Sequence, residues 1–294
     1  MNKSLFYRIS QFFGFLLGAK VFVTALLAFA LYVSAYFLFN QVESFRNFIF
    51  DYKVHGLIFS SLFSILAGGI INQFYDKEKD TLTKPFRSRI QNFLKQKYFL
   101  YAYLFLNLLS LGIASTLSFR IFLFLLVYQF LMWFYSHKVS KILFLNNINF
   151  VILTLYPFFG ILVYYHTFSA EIVYSALFLF FTLLILDILK DTLTKNADKI
   201  FNYFTIPNVF GSKVAIINLI FLIVINILIS MKIIDHNGLH NIWSYYFAVG
   251  LFVFIICIYF LLQNFKNSKF LTLNLLRLWL FIGICAMLLN GIFS

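Results

Sequence analysis

Charge is scarce in this chain, and acidic charge is scarcer still. Only 11% of its 294 residues are charged, and Asp and Glu together number 10 against 23 Lys and Arg. With 62% hydrophobic residues and a mean hydropathy of +0.90, no soluble domain of this length would need so much apolar surface. Period-two alternation is also missing. The apolar runs are continuous, several of them beyond about 18 residues, which disfavours a β-barrel and reads as a polytopic helical membrane protein. Cysteine is nearly absent: Cys257 and Cys285 lie inside apolar runs, with no CxxC spacing and no His partner, and read as core fillers. No low-complexity linker divides the chain, so residues 1–294 read as a single domain.

The net charge of +13 does not call for nucleic acid. In a membrane protein, Lys and Arg gather in cytoplasmic loops. Nine spans are expected, at about 13–39, 54–75, 98–117, 119–137, 149–166, 171–190, 213–234, 242–263 and 270–292. Lys3 and Arg8 ahead of an apolar run imitate a signal peptide, but the run is too long for one and reads as a retained first helix. With the N-terminus in the cytoplasm and the C-terminus outside, 17 of the 23 basic residues fall on the inner side and 4 on the outer. Lys20 and Arg277 fall within spans. An intramembrane Lys20 is either a site residue or one that snorkels to the interface.

The few acids are not scattered. Asn72, Asp76 and Asp80 stand at i, i+4 and i+8 where the second apolar run ends. On a helix that spacing places three oxygen-bearing side chains on one face. The sixth run ends in the same way, with Asp187, Asp191 and Asp198. Both acidic ends belong to the inner side and precede long polar stretches, Asp76–Lys97 and 191–212, which read as loops and candidate lids. Opposed carboxylate clusters repel unless a cation lies between them. Hard oxygen donors select Mg2+, which binds through one or two carboxylates plus substrate phosphate oxygens. Lys84, Arg87, Arg89, Lys190 and Lys195 lie beside the acids and suit anionic phosphates. A diphosphate on a lipid tail fits this combination best.

At these residues the chain resembles the UbiA superfamily of intramembrane prenyltransferases. Asn72, Asp76 and Asp80 match the family's NxxxDxxxD, and Lys84-Pro85-Phe86-Arg87 resembles the KPxR that follows it. Lys190-Asp191 and Asp198 match parts of KDxxDxxxD, Thr205-Ile206-Pro207 resembles the family's TLP, and Gly211 stands where a Gly is expected. The departure is Thr194, in the place of the second motif's middle Asp; Asp187, one turn before Asp191, is the candidate for the missing charge.

The resemblance implies an all-α fold of about nine transmembrane helices around a central, cytoplasm-facing cavity. It implies Mg2+-assisted transfer of a polyprenyl chain from its diphosphate to a small-molecule acceptor, expected to be aromatic. Catalytic residues would be Asn72, Asp76, Asp80, Asp191 and Asp198. With Asp187 the same residues would be the metal ligands, and Lys84, Arg87, Lys138, Lys190 and Tyr135 would bind diphosphate. The expected partners are these substrates and the bilayer, with no nucleic acid and no obligatory protein partner. The competing classes are a transporter, whose charges should sit near the midplane, and a non-catalytic structural relative. Neither the aromatic residues nor His236 and His240 single out a further site.

Overall fold

The computed structural model describes residues 3–40, 44–263, 265 and 267–293. Among the described residues the regular structure is helical, without a strand. In chain order the helices are α1 (Lys3–Gly18), α2 (Val21–Ser34), α3 (Phe45–Phe50), α4 (Tyr52–Tyr75), α5 (Lys77–Thr83), α6 (Pro85–Gln91) and α7 (Gln96–Leu117). They continue with α8 (Phe119–His137), α9 (Leu145–Tyr165), α10 (Ala170–Ile200), α11 (Ile206–Val209), α12 (Gly211–Asn237), α13 (Ile242–Gln263) and α14 (Ser268–Phe293). A π turn, Ala35–Phe39, extends α2. Nine segments are long and apolar enough to cross a bilayer: Val21–Phe39, α4, α7, α8, α9, α10, α12, α13 and α14. The chain is thus an integral multi-pass protein, with the expected number of spans among the described residues.

Two expectations need correction. The first apolar run is not one helix from residue 13 to 39. It breaks after Gly18, where Lys20 takes a left-handed φ of 54°, the conformation in which many helices end. Lys20 therefore sits at a break between α1 and α2, not inside a span. The break is pressed against α4, because a Cβ added to Gly69 would lie 2.9 Å from the Ala19 carbonyl oxygen. The second correction concerns the polar stretches read as loops. The segment after Asp76 is helical, as α5 and α6, and α10 continues through all three of its acids to Ile200. Polar composition was the wrong guide there: Pro85 starts α6 at its first turn, and Asp80 and Lys84 form an i,i+4 ion pair that supports a helix.

The helices divide into two compact units. The first gathers α1, most of α2, α3 to α8 and the C-terminal half of α9 from Tyr156. Its central element is α4, whose buried face carries Gly56, Ser60, Ser61, Ser64 and Gly69. Small residues let neighbouring helices approach closely where lipid supplies no hydrophobic drive between them. The Ser64 and Ser110 hydroxyls lie 2.9 Å apart, Ser110 donates to the Ser60 carbonyl at 2.8 Å, and Gln129 Nε2 donates to Ser64 at 3.1 Å. These bonds join α4, α7 and α8. Asp51 caps α4 by accepting from the Lys53 and Val54 amides, and its second oxygen accepts from the Tyr164 hydroxyl at 2.9 Å.

The second unit holds the π turn, the N-terminal half of α9 up to Leu155, and α10 to α14. Its core includes Phe178, Ile185, Ile188, Leu219, Phe247 and Phe254. Trp243, Tyr246 and Trp279 stack in series at 5.4 and 4.5 Å. Polar bonds also cross this core: Asn226 Nδ2 on α12 donates to Thr182 Oγ1 on α10 at 2.9 Å, and the Tyr246 hydroxyl on α13 donates to the Trp279 carbonyl on α14 at 3.3 Å.

Candidate functional site

The first acidic end lies where α4 passes into α5. Backbone i+4 hydrogen bonds bridge the junctions at Asp76 and Lys84, both of which depart from helical dihedrals: Asp76 N to Asn72 O, Asp80 N to Asp76 O, Lys84 N to Asp80 O and Ser88 N to Lys84 O, at 2.8 to 3.0 Å. Asn72, Asp76 and Asp80 therefore share one helix face, as their spacing predicts. Asn72 Nδ2 donates to Asp76 Oδ2 at 2.7 Å. Asp80 is buried and accepts from Lys84 Nζ at 2.8 Å. Two carboxylates one turn apart thus have different partners, an amide and an ammonium.

Arg87, expected among the diphosphate ligands, is half-buried and bonds the end of α1 in this structure. Its Nη2 donates to the Leu17 carbonyl in the last turn of α1 at 2.5 Å, an oxygen that also accepts from the Lys20 amide at 3.3 Å. Burial lowers its pKa from the ordinary value, and the nearby Asp80 carboxylate works in the opposite direction. The guanidinium thereby caps α1 while facing an acid of the motif. The approach of α1 to α6 is close: a Cβ on Gly14 would lie 2.7 Å from the Ile90 carbonyl oxygen. At the end of α8, His137 bonds the Tyr75 hydroxyl at 3.2 Å and stacks on Trp133. That contact sets half-buried Tyr135 and exposed Lys138 at the same end of the unit as Asp76.

The second acidic end is more deeply buried. Asp187, Asp191 and Asp198 are 3%, 4% and 0% exposed, and all three lie on α10. Asp187 Oδ1 accepts from Lys190 Nζ at 2.9 Å, and the ammonium lies 5.4 Å over the Phe150 ring. Thr194, in place of an acid, bonds through its hydroxyl to Asp198 Oδ2 at 3.0 Å and to the Lys190 carbonyl at 3.2 Å. Beyond α10, the Tyr203 amide donates to the Asp198 carbonyl. Asn208 Nδ2 bonds the Tyr203 carbonyl at 2.8 Å, and Lys195 Nζ bonds Ser212 Oγ at 3.3 Å. Pro207 lies in the first turn of α11, and Gly211, with φ of +88°, starts α12. The TIP and Gly positions of the motif are therefore turn chemistry that closes this end.

A residue absent from the predicted set sits at its centre. Asn147, in the first turn of α9 and 2% exposed, donates from Nδ2 to Asp187 Oδ2 at 2.8 Å and to Asp191 Oδ2 at 2.9 Å. Asn146 stands beside it, 3.5 Å from Asp191. In the sequence the two amides were visible only as polar residues near a basic loop; their partners lie 40 and 44 positions away. Among the described residues, no group of three His, Cys, Asp or Glu converges tightly enough to hold an ion alone.

These features define a multi-pass helical membrane protein whose few acids are concentrated at two helix ends. The model of the UbiA prenyltransferase family matches residues 46–282, a span that includes both ends, and the chain belongs to that family. It is 26% identical over 217 residues to a digeranylgeranylglyceryl phosphate synthase of Methanosphaera stadtmanae, covering 71% of this chain and 79% of that one. Among solved structures, the fold is similar to one concerned with digeranylgeranylglyceryl phosphate synthase in membranes, at a TM-score of 0.72, 18% identity and 96% and 98% coverage of the two chains. It is also similar to a UbiA homologue from Archaeoglobus fulgidus bound to GPP and Mg2+, at a TM-score of 0.66, 17% identity and 94% and 99% coverage.

Proposed function

We propose that both acidic ends serve one reaction, the Mg2+-dependent transfer of a prenyl chain from an allylic diphosphate to a nucleophilic acceptor. The observation that carries this reading is the pairing at each end of hard oxygen donors with basic side chains: Asp80 with Lys84, and Asp187 with Lys190. Carboxylate and amide oxygens fit Mg2+, which takes one or two carboxylates and completes its shell with water and phosphate oxygens. Asn72, Asp76 and Asp80 would hold it at one end, and Asp187, Asp191 and Asp198 at the other. When bound, the ion neutralises charge on the departing diphosphate and so favours cleavage of the allylic carbon–oxygen bond. Lys84, Lys138 and Lys190 supply ammonium groups for the same phosphates, and Tyr135 a hydroxyl. Arg87, which also bonds the end of α1, would add a guanidinium to the same set. The acceptor forms the new bond to the allylic carbon and gives up a proton, and diphosphate leaves.

The acceptor expected from the sequence was aromatic. The relative from Methanosphaera stadtmanae is named for a prenylated glyceryl phosphate product, and this supports a glyceryl phosphate acceptor ahead of an aromatic one. The excess of basic residues on alternate segments, 17 against 4, supports a cytoplasmic N-terminus and an external C-terminus.

The test uses membranes containing the protein, labelled geranylgeranyl diphosphate, a panel of glyceryl phosphate and aromatic acceptors, and Mg2+ or EDTA. Transfer should require Mg2+, and Asp76→Ala and Asp191→Ala should each abolish it while the protein still inserts. Full activity in both variants would sink the metal–diphosphate reading. The identity of the labelled product decides between the acceptor classes.

A further inference from the structure

We infer that Asn147 is a positioning residue that holds the Asp187 and Asp191 carboxylates side by side for the cation, and that Asp187 thereby takes the place of the acid missing at Thr194. This inference rests on the functional reading above. Four observations within the second unit support it. Asp187 and Asp191 are one turn apart on α10 and both buried. One oxygen of each lies within 2.9 Å of the same nitrogen, Asn147 Nδ2. A primary amide has two N–H donors, enough to serve one oxygen of each carboxylate. Finally, Lys190 engages the other oxygen of Asp187, at 2.9 Å.

The chemistry follows from what each neighbour offers. Two buried carboxylates repel, and water is not at hand to screen them. Left to themselves they would turn to separate rotamers, and a cation would have to gather them at the cost of their side-chain freedom. An uncharged double donor draws them together without neutralising either. Lys190 offsets one charge, so the pair keeps a net negative charge for a cation to meet. Position 194 cannot serve in the same way, because its side chain is a hydroxyl already bonded to Asp198 at 3.0 Å. Asn147 approaches from α9, so the arrangement does not depend on α10 alone. Partners that orient a metal's ligands typically change metal affinity or activity about 10–100-fold when removed.

The experiment measures ion binding and turnover separately. Mn2+ serves as a paramagnetic substitute for Mg2+, titrated by electron paramagnetic resonance into full-length protein in detergent with inorganic pyrophosphate present. In Asn147→Leu, Mn2+ binding should weaken about 10–100-fold, and the Mg2+ concentration for half-maximal turnover should rise in parallel. Turnover at saturating Mg2+ should fall much less. Asn149→Ala, which alters an exposed amide bonded only to its own helix at the Leu145 carbonyl, should bind Mn2+ as the unaltered protein does. Since Asn147→Leu can disturb packing, Asn147→Ala and the double variant Asn147→Ala/Asp187→Asn are measured alongside. If Asn147 acts by holding Asp187, its loss should add little once Asp187 is neutral.

Mn2+ affinity within twofold of the unaltered protein in both single variants overturns the inference. So does a loss confined to turnover at saturating metal, or full additivity in the double variant. If the unaltered protein binds no Mn2+ even with pyrophosphate, the metal–diphosphate reading fails and the inference falls with it. That result differs from one in which only the variants retain their affinity.

Discussion

The contact between Arg87 and the end of α1 can be tested without any substrate. Arg87→Met keeps the aliphatic stem and removes the guanidinium that donates to the Leu17 carbonyl at 2.5 Å. A hydrogen bond from a charged donor contributes roughly 1.5–3 kcal/mol. The same interaction viewed as a cation at a partly buried helix C-terminus reaches up to about 2 kcal/mol. The two figures describe one contact and do not add. Against them stands a desolvation cost: Arg87 Nε is buried without a hydrogen-bond partner, and methionine has no such group to bury. A net loss of about 1–2 kcal/mol should release α1 from α6 about 5–30 times more often. Hydrogen–deuterium exchange of peptides covering α1 reads this directly, with peptides from α4 as the internal reference. Exchange in α1 should accelerate by that factor while α4 keeps its protection. Arg87→Lys, which retains charge but loses the planar fork, should fall between. Unchanged protection of α1 in Arg87→Met would refute the capping argument. A rise in KM for the diphosphate in the same variant would support Arg87 as a phosphate ligand.

Two further changes probe the second acidic end. Gly211→Ala should lower thermal stability by about 1–2 kcal/mol, the cost of a left-handed backbone with a Cβ. No atom lies within 4 Å of that Cβ, so the loss is conformational, and Gly211→Asn should recover part of it; equal melting temperatures for Gly211→Ala and the unaltered protein would contradict this. Thr194→Asp restores the family's acid but removes the hydroxyl that bonds buried Asp198 and adds a like charge. Two charges about 5 Å apart repel by roughly 3 kcal/mol at an effective dielectric constant of 20. The variant should therefore melt earlier than the unaltered protein in EDTA and regain stability with Mg2+ and pyrophosphate, and a curve identical in EDTA would show that Thr194 and Asp198 are not coupled.

The parts of this fold legible in the sequence were those governed by local rules. Continuous apolar runs gave the number of spans, because a bilayer demands uninterrupted length. The spacing of Asn72, Asp76 and Asp80 gave their common face, because helical periodicity alone decides it. The break at Lys20 was not legible. Residues 13–39 are apolar on either side of it, and the segment it packs against, at Gly69, lies some 50 positions along the chain. The helical character of α5 and α6 was hidden by their charge, which suggests solvent exposure but does not distinguish loop from helix. Asn147 was missed for a third reason. A neutral amide carries no charge pattern, and only the fold shows that its two donors meet two acids of another helix.

The break at Lys20 also matches the first span to its surroundings. Val21–Phe39 has 19 residues, which at ~1.5 Å per residue reach about 28 Å, close to the ~30 Å of a hydrocarbon layer. An unbroken helix from residue 13 to 39 would run roughly 40 Å. Tilting the helix or thickening the membrane to absorb ~10 Å costs fractions of a kcal/mol for each ångström. A single left-handed residue costs about 1–2 kcal/mol, no more than the mismatch it relieves. One unfavourable backbone angle thus sets where the hydrophobic thickness of the first span begins.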